Sequence, residues 1–276
     1  MVTGLLVFGD SLSDGGNARA VLGDGAFSCP PHWNNRRCDG PLWVEHLAED
    51  LGLPPLLPSL AGGGNHAFGG ARSGGGRTPK GLPNLLTQVE GAGPSPPSSL
   101  VVLRAGANDY LDAPPSPAIG DAVNRHLLAA VNALADRGLR WFLVPSELPW
   151  GWSPITLPGV GERERRALNA LIERQNGALR EALAALATRR GLRVTQPDFH
   201  GLFLDIQAAP AAWGFREVQT PALLDPAPEA SRERGGAAAV PDARGFLWWD
   251  SWGHLTSAFH QRLAERALET LRGEAG

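Results

Sequence analysis

The sequence predicts an α/β protein, a parallel sheet with helices on both faces. Three observations carry that expectation. Short apolar runs bounded by glycine recur along the chain, each long enough for one buried strand. Between them lie stretches whose apolar residues keep a helical spacing. At 276 residues, 43% hydrophobic and 19% charged, the chain can bury a substantial core without a second domain. One domain spanning 1–276 is therefore expected.

Taken in order, Gly4–Gly9 (GLLVFG) is the first strand, apolar throughout and closed by Gly. Segment 41–52 opens with Pro41, ends with Gly52 and sets Leu42, Leu47 and Leu51 on one face, which predicts a short helix. Residues 53–81, rich in Gly and Pro, read mostly as loop. Ser99–Ala105 (SLVVLRA) is the clearest strand and stops at Gly106. Val123, Leu127, Val131 and Leu134 keep a helical period up to Gly138, and Trp141–Val144 supplies the next strand. Leu168, Ile172, Leu179, Leu183 and Leu186 mark a long helix within 161–190, ended by Gly191. Leu192–Thr195 is a further short strand, and Phe259, Leu263 and Leu271 mark a C-terminal helix. Segment 205–247, full of Ala, Pro, Gly and Arg, has little periodicity and is expected as a long surface excursion.

A net charge of −3 without a long run of one sign points to neither nucleic acid nor an anionic membrane as partner. No stretch of about eighteen apolar residues occurs, so no transmembrane helix is expected. Residues 1–8 are too short for a signal peptide. Lys80 is the only Lys in an Arg-rich chain, a bias that goes with the Ala, Gly and Pro richness of a GC-rich gene. Cys29 and Cys38 are the only cysteines, and no CxxC or paired-His spacing suggests zinc. A short-loop disulfide between them is expected, and with it a secreted or periplasmic origin.

The chemistry gathers at turns. The first strand runs into Gly9-Asp10-Ser11-Leu12-Ser13-Asp14, which presents Ser11 just past a strand end, where a nucleophile belongs. The second runs into Gly106-Ala107-Asn108-Asp109, and the Asn108 amide can donate to an oxyanion without titrating. In Asn65-His66-Ala67-Phe68-Gly69-Gly70-Ala71, Gly lets a backbone N–H approach a ligand closely. Before the last helix stands Trp248-Trp249-Asp250-Ser251-Trp252-Gly253-His254, where an Asp near a His can fix the imidazole tautomer. His46, His126 and His260 fall within helices and read as surface or packing residues. His66 is the one further histidine beside a site segment, and a substrate contact is open to it.

Together these blocks resemble the GDSL family of SGNH hydrolases, through GDSLSD (9–14), NHAFGGA (65–71), GAND (106–109) and the pair Asp250 and His254. GPLWVEHLAEDLGLP (40–54), LPWGWSP (148–154) and AAWGF (211–215) resemble the family's connecting segments, so the likeness spans nearly the whole chain. It implies a flavodoxin-like three-layer α/β/α sandwich with about five parallel strands. It implies Ser11 as nucleophile, His254 as base and Asp250 as its orienting carboxylate. The Ser11 N–H, the Gly70 N–H and the Asn108 side chain would form the oxyanion hole, and no metal or cofactor would be needed. Asp10 is expected to be a buried structural carboxylate. The family usually spaces its pair Asp-x-x-His, followed by Pro; here three residues intervene and Leu255 follows. Gly253 is expected to absorb the extra residue.

The implied activity is hydrolysis of a small-molecule or lipid-like ester through an acyl-enzyme, with the alcohol and acyl group undetermined: a short-chain ester, a lysophospholipid, a choline ester or an acetylated sugar. An aromatic cage drawn from Trp33, Trp150, Trp152 and Trp252 would suit a quaternary ammonium group. The rivals are a G-x-S-x-G hydrolase, for which Ala71-Arg72-Ser73-Gly74-Gly75 is the nearest variant but lacks a preceding strand, and a non-catalytic binding or adhesion relative. A nucleotide-binding relative lacks both GxxxxGK[ST] and GxGxxG.

Overall fold

A computed structural model describes residues 2–23, 31–156, 159–224, 238–239 and 242–273. Four parallel strands lie in the order β1 (Gly4–Gly9), β2 (Ser99–Arg104), β3 (Trp141–Leu143) and β4 (Arg193–Thr195). About five strands were expected, and the fifth position is filled by less regular backbone. On the free side of β1, Val7 N–H donates to Gly64 O at 2.9 Å, His66 N–H to Val7 O at 2.7 Å and Phe68 N–H to Gly9 O at 3.1 Å. Segment 64–68 is thus a rudimentary parallel neighbour, registered only as an isolated bridge at Asn65.

The unbroken apolar strands follow from cover on both faces. Leu5, Val7, Leu100, Val102 and Leu143 point into one cluster, built with α2 (Trp43–Asp50), α7 (Phe199–Ala208) and α8 (Ser257–Gly273). Leu6, Phe8, Val101, Leu103 and Phe142, one residue out of phase, point into the other, built with α3 (Leu85–Gly91) and α5 (Pro117–Asp136). The long helix α6 (Glu162–Arg190) serves both, with Leu168 and Ile172 in the first and Leu179, Leu183 and Leu186 in the second. This is the expected three-layer arrangement. Each fully buried Leu or Val contributes about 1.5–3 kcal/mol, so polar residues within these runs would be costly.

Two short helices, α1 (Asn17–Leu22) and α4 (Ala107–Leu111), follow the turns after β1 and β2. Neither they nor α3 and α7 are evident as periodic patterns. The first three are five to seven residues long, too short to show a period. Helix α7 is capped by Asp198, whose carboxylate accepts from Gly201 N–H at 2.9 Å, and its end overlaps the expected excursion. Within 205–247 the chain makes a short 3-10 turn at Pro210–Trp213 and an antiparallel pair between β5 (Leu223–Leu224) and β6 (Ala238–Ala239).

Cys38 is a free, buried thiol whose Sγ donates to Asp39 Oδ1 at 3.5 Å. Cys29 lies outside the described residues. The described residues hold no disulfide, and the expected Cys29–Cys38 bridge falls outside them. No described helix is long and apolar enough to cross a membrane.

Candidate active site

Parallel strands deliver their following turns to one edge of the sheet. At that edge Ser11, Gly70, Asn108 and His254 line one cleft of about 490 Å³. Ser11 sits two residues past β1, half-buried, while Asp10 beside it is 1% exposed. His254 Nε2 is 3.0 Å from Ser11 Oγ. On the other side of the ring, Nδ1 lies 2.8 Å from each oxygen of Asp250.

The long Asp–His spacing is accommodated as expected. Gly253 takes φ +86°, a left-handed conformation that favours glycine, and its N–H closes a turn onto Asp250 O at 3.2 Å. Asp250 Oδ1 also accepts the N–H groups of Trp252 at 3.0 Å and His254 at 3.1 Å. Arg37 Nη1 stands 3.7 Å from Oδ2. Burial by itself pushes the Asp250 carboxyl up, but the His254 ring, Arg37 and the His254 N–H together hold it below the ordinary value. Asp250 is therefore an ionised, fully buried hydrogen-bond acceptor aimed at the imidazole.

The three prospective oxyanion donors come from separate turns. Gly70 has φ +79°, and Asn108 opens α4 with its Nδ2 donating one hydrogen to Ala71 O at 2.9 Å. That bond leaves the second amide hydrogen for a ligand. Among the described residues, the N–H groups of Ser11 and Gly70 have no internal acceptor. Asp14 ties the first two turns together. Its carboxylate accepts the N–H groups of Gly16, Asn17 and Ala18 and, across the cleft floor, that of Gly69 at 2.8 Å. Burial raises the Asp14 carboxyl, opposed by those four donors. Asn17 Nδ2 bonds Asn65 O and Ala67 O, and Asn65 Nδ2 returns a bond to Ser13 O. Sequence reasoning passed over Asp14, Asn17 and Asn65, although the Ser-x-x-Asp interval after the strand is a readable turn signal.

Other expectations fall away from the cleft. His66 stacks on Phe8 at 5.1 Å and does not line the cleft, so it packs against the sheet rather than contacting a ligand. Of the four tryptophans considered for a cage, Trp150 and Trp252 line the cleft. Trp33 faces Arg36 at 5.0 Å, and Trp152 faces Arg165 and Arg166 at 5.9 and 6.0 Å. Trp33 and Trp152 thus lie outside the cleft lining, and the four rings form no four-sided cage. Ser73, the rival nucleophile, is 0% exposed. Among the described residues no cluster of His, Cys, Asp and Glu could hold a metal ion.

A parallel α/β sandwich with a Ser–His–Asp array at its carboxyl edge defines a class of serine-centred sites recognised by geometry rather than by fold. A family model described as GDSL-like Lipase/Acylhydrolase matches residues 5–267, and the chain belongs to that family. A GDSL esterase/lipase of Arabidopsis thaliana is 30% identical over 66% of this chain and 61% of its own length. The phosphatidylcholine-sterol acyltransferase of Aeromonas hydrophila is 34% identical over 45% of this chain and 40% of its own. The chain thus spans less than two thirds of either relative. Among solved structures, an alpha/beta hydrolase enzyme from the metagenome of Lake Arreo aligns over 98% of this chain and 96% of its own, at 16% identity and a TM-score of 0.49.

Proposed function

We propose that this protein, a single domain over 1–276, is a carboxylic ester hydrolase working through an acyl-enzyme on Ser11. The observation that carries the reading is the continuous array from Ser11 Oγ through His254 to Asp250, at 3.0 and 2.8 Å. Ser11 Oγ attacks the ester carbonyl carbon while its proton passes to His254 Nε2. The carbonyl oxygen, now an anion, is met by the N–H groups of Ser11 and Gly70 and by Asn108 Nδ2. Collapse breaks the acyl–oxygen bond, and the alcohol leaves with the proton from His254. Water then attacks the acyl carbon, giving one proton to His254, and the acid departs as Ser11 Oγ recovers it. Asp250 keeps Nδ1 protonated and balances the charge the ring gains. Each step closes on protein groups and water.

Family membership and the names of the relatives support the ester-hydrolase class. The cleft supports a substrate with an apolar part, since Leu22, Leu82, Leu111, Ile155 and the half-exposed Trp252 line it. Its volume of about 490 Å³ is far more than an acetyl group occupies. The test is turnover of p-nitrophenyl esters of graded chain length by the wild type and Ser11→Ala. Rising kcat/KM from acetate to medium chains, abolished by the substitution, is the expected result. Equal rates for the two proteins would end the proposal.

A further inference from the structure

Arg104 ends β2 opposite Gly9 of β1, and its side chain is 2% exposed. Its Nη1 donates to Asp10 Oδ1 and Oδ2 at 2.9 and 2.8 Å, and its Nη2 to Glu147 Oε1 at 2.5 Å. Both carboxylates are buried with the guanidinium. A charged cluster this far from water is weak as a stabilising device, because desolvation offsets most of the attraction. Its geometry is the more informative property.

Followed outward, each arm ends on the active site. Asp10 precedes Ser11 in the chain, and its Oδ1 takes the Leu12 N–H at 3.0 Å, so the turn is pinned on both sides of the nucleophile. Glu147 Oε1 also accepts Trp150 Nε1 at 2.8 Å and Leu148 N–H at 3.0 Å. The Trp150 ring packs against Gly253, where an added Cβ would meet Cζ3 at 3.5 Å, and Gly253 is joined to His254. The other Glu147 oxygen crowds Gly106, which has φ +149° and space for no Cβ, the nearest approach being 2.8 Å. Gly106 stands two residues before Asn108. The path Asp10–Arg104–Glu147–Trp150–Gly253 therefore spans, inside the protein, the same gap that the 3.0 Å Ser11–His254 bond spans in the cleft.

We propose that Arg104 and Glu147 are positioning residues that set the separation of Ser11 from His254. The proposal rests on the ester-hydrolase reading above. Neither residue touches substrate; each acts through a neighbour. Displacing a reacting group by about 1 Å costs on the order of 10²-fold in rate, so slack in this path reads out in kcat.

The decisive variant is Glu147→Gln, which keeps volume and an acceptor for Trp150 but removes the charge that holds Arg104. We expect kcat to fall about tenfold or more with KM within about twofold, and phosphonate labelling of Ser11 to slow by the same factor. Trp150→Phe, which removes both the indole N–H held by Glu147 and the part of the ring that reaches Gly253, should lower kcat in the same direction, and it decides the matter if Glu147→Gln does not fold. Leu186→Ala serves as a control: it removes a buried apolar side chain near the C-terminal end of α6, just before β4 begins and so at the opposite edge of the sheet from this path, and should lower Tm while leaving kcat unchanged. Unchanged kcat in Glu147→Gln, a change confined to KM, or an equal kcat loss in Leu186→Ala at matched Tm would overturn the proposal. A wild type that neither turns over esters nor labels at Ser11 would instead overturn the functional reading beneath it.

Discussion

Two groupings of serine, histidine and aspartate, one around Ser11 and one around Ser73, differ in order. At the cleft the histidine stands in the middle, with Ser11 at one ring nitrogen and Asp250 at the other. At the second cluster the serine stands in the middle. Ser73 Oγ donates to Asp109 Oδ1 at 2.8 Å and lies 2.9 Å from His126 Nδ1, while Ser73 N–H donates to Asp109 Oδ2 at 2.9 Å. Ser73 is sealed from solvent, whereas Ser11 opens on the cleft. The same three residue types thus make a relay in one place and a clasp in the other. In the proposed mechanism the Ser11 proton passes to His254 Nε2 and stays there while Asp250 holds the Nδ1–H, but the Ser73 hydroxyl is spent on the carboxylate itself. The clasp has a use: Asp109 follows Asn108, so fixing its carboxylate helps fix the turn that aims the amide.

The largest expected effect breaks the relay. Ser11→Ala should lower kcat/KM for an ester by about 10⁴–10⁶-fold in a folded protein, measured by steady-state hydrolysis and circular dichroism. Ser73→Ala should leave activity within about threefold, and a fluorophosphonate should label Ser11 alone, read by peptide mass spectrometry. Label on Ser73 would invert the comparison.

Next in size is Asp250→Asn, expected to reduce kcat by about 10³–10⁴-fold, because an amide facing Nδ1 can favour the wrong tautomer. A loss under about tenfold would mean that the backbone orients His254 without the carboxylate. Asn108→Ala should cost about 10²–10³-fold in kcat with little change in KM, since the amide meets charge only in the transition state. A change in KM alone would recast Asn108 as a binding residue.

The smallest effects concern stability and pH. Ser73→Ala leaves Asp109 and His126 each short of a partner and should cost about 1–3 kcal/mol in urea unfolding. The two carboxyls should respond to acid with opposite sign. Asp250 is held below its ordinary value of 3.8, so its contribution is complete above that value and disappears as pH falls through the lowered one. Asp109 is raised above 3.8 by burial, against the Ser73 N–H and hydroxyl, so its ionisation costs stability that is recovered as pH falls. Measured as Tm between about pH 3 and 7, the advantage of wild type over Asp250→Asn should shrink on acidification, and that over Asp109→Asn should grow. Gaps that move in the same direction would refute the electrostatic contrast.

Much of the fold was legible because its strands and long helices carry local signals. GLLVFG, SLVVLR and the 3.6-residue period of α5 and α6 needed no knowledge of their partners. The short helices α1 and α4 were not legible, because they are set by turns after strands rather than by an apolar face. Segment 64–68 was readable only as loop, since Gly64, Asn65 and His66 carry no strand pattern; its pairing with β1 comes from hydrogen bonds that β1 offers. At the site, Ser11, Asn108 and His254 stood out because each follows or precedes a regular element. The buried Arg104 and Glu147 did not, because a charged residue in sequence gives no sign of which charge it will meet.

The sequence by itself determined the layer architecture, the family, and the residue types gathered at the sheet's carboxyl edge, since periodicity and turn chemistry are local properties of the chain. Tertiary structure alone decided that the group around Ser11, not that around Ser73, is open to a ligand, how Gly253 takes up the extra residue before His254, and which carboxylates share Arg104. Those outcomes depend on distances between segments up to 243 residues apart, and such distances are fixed only when the sheet brings its turns to one edge.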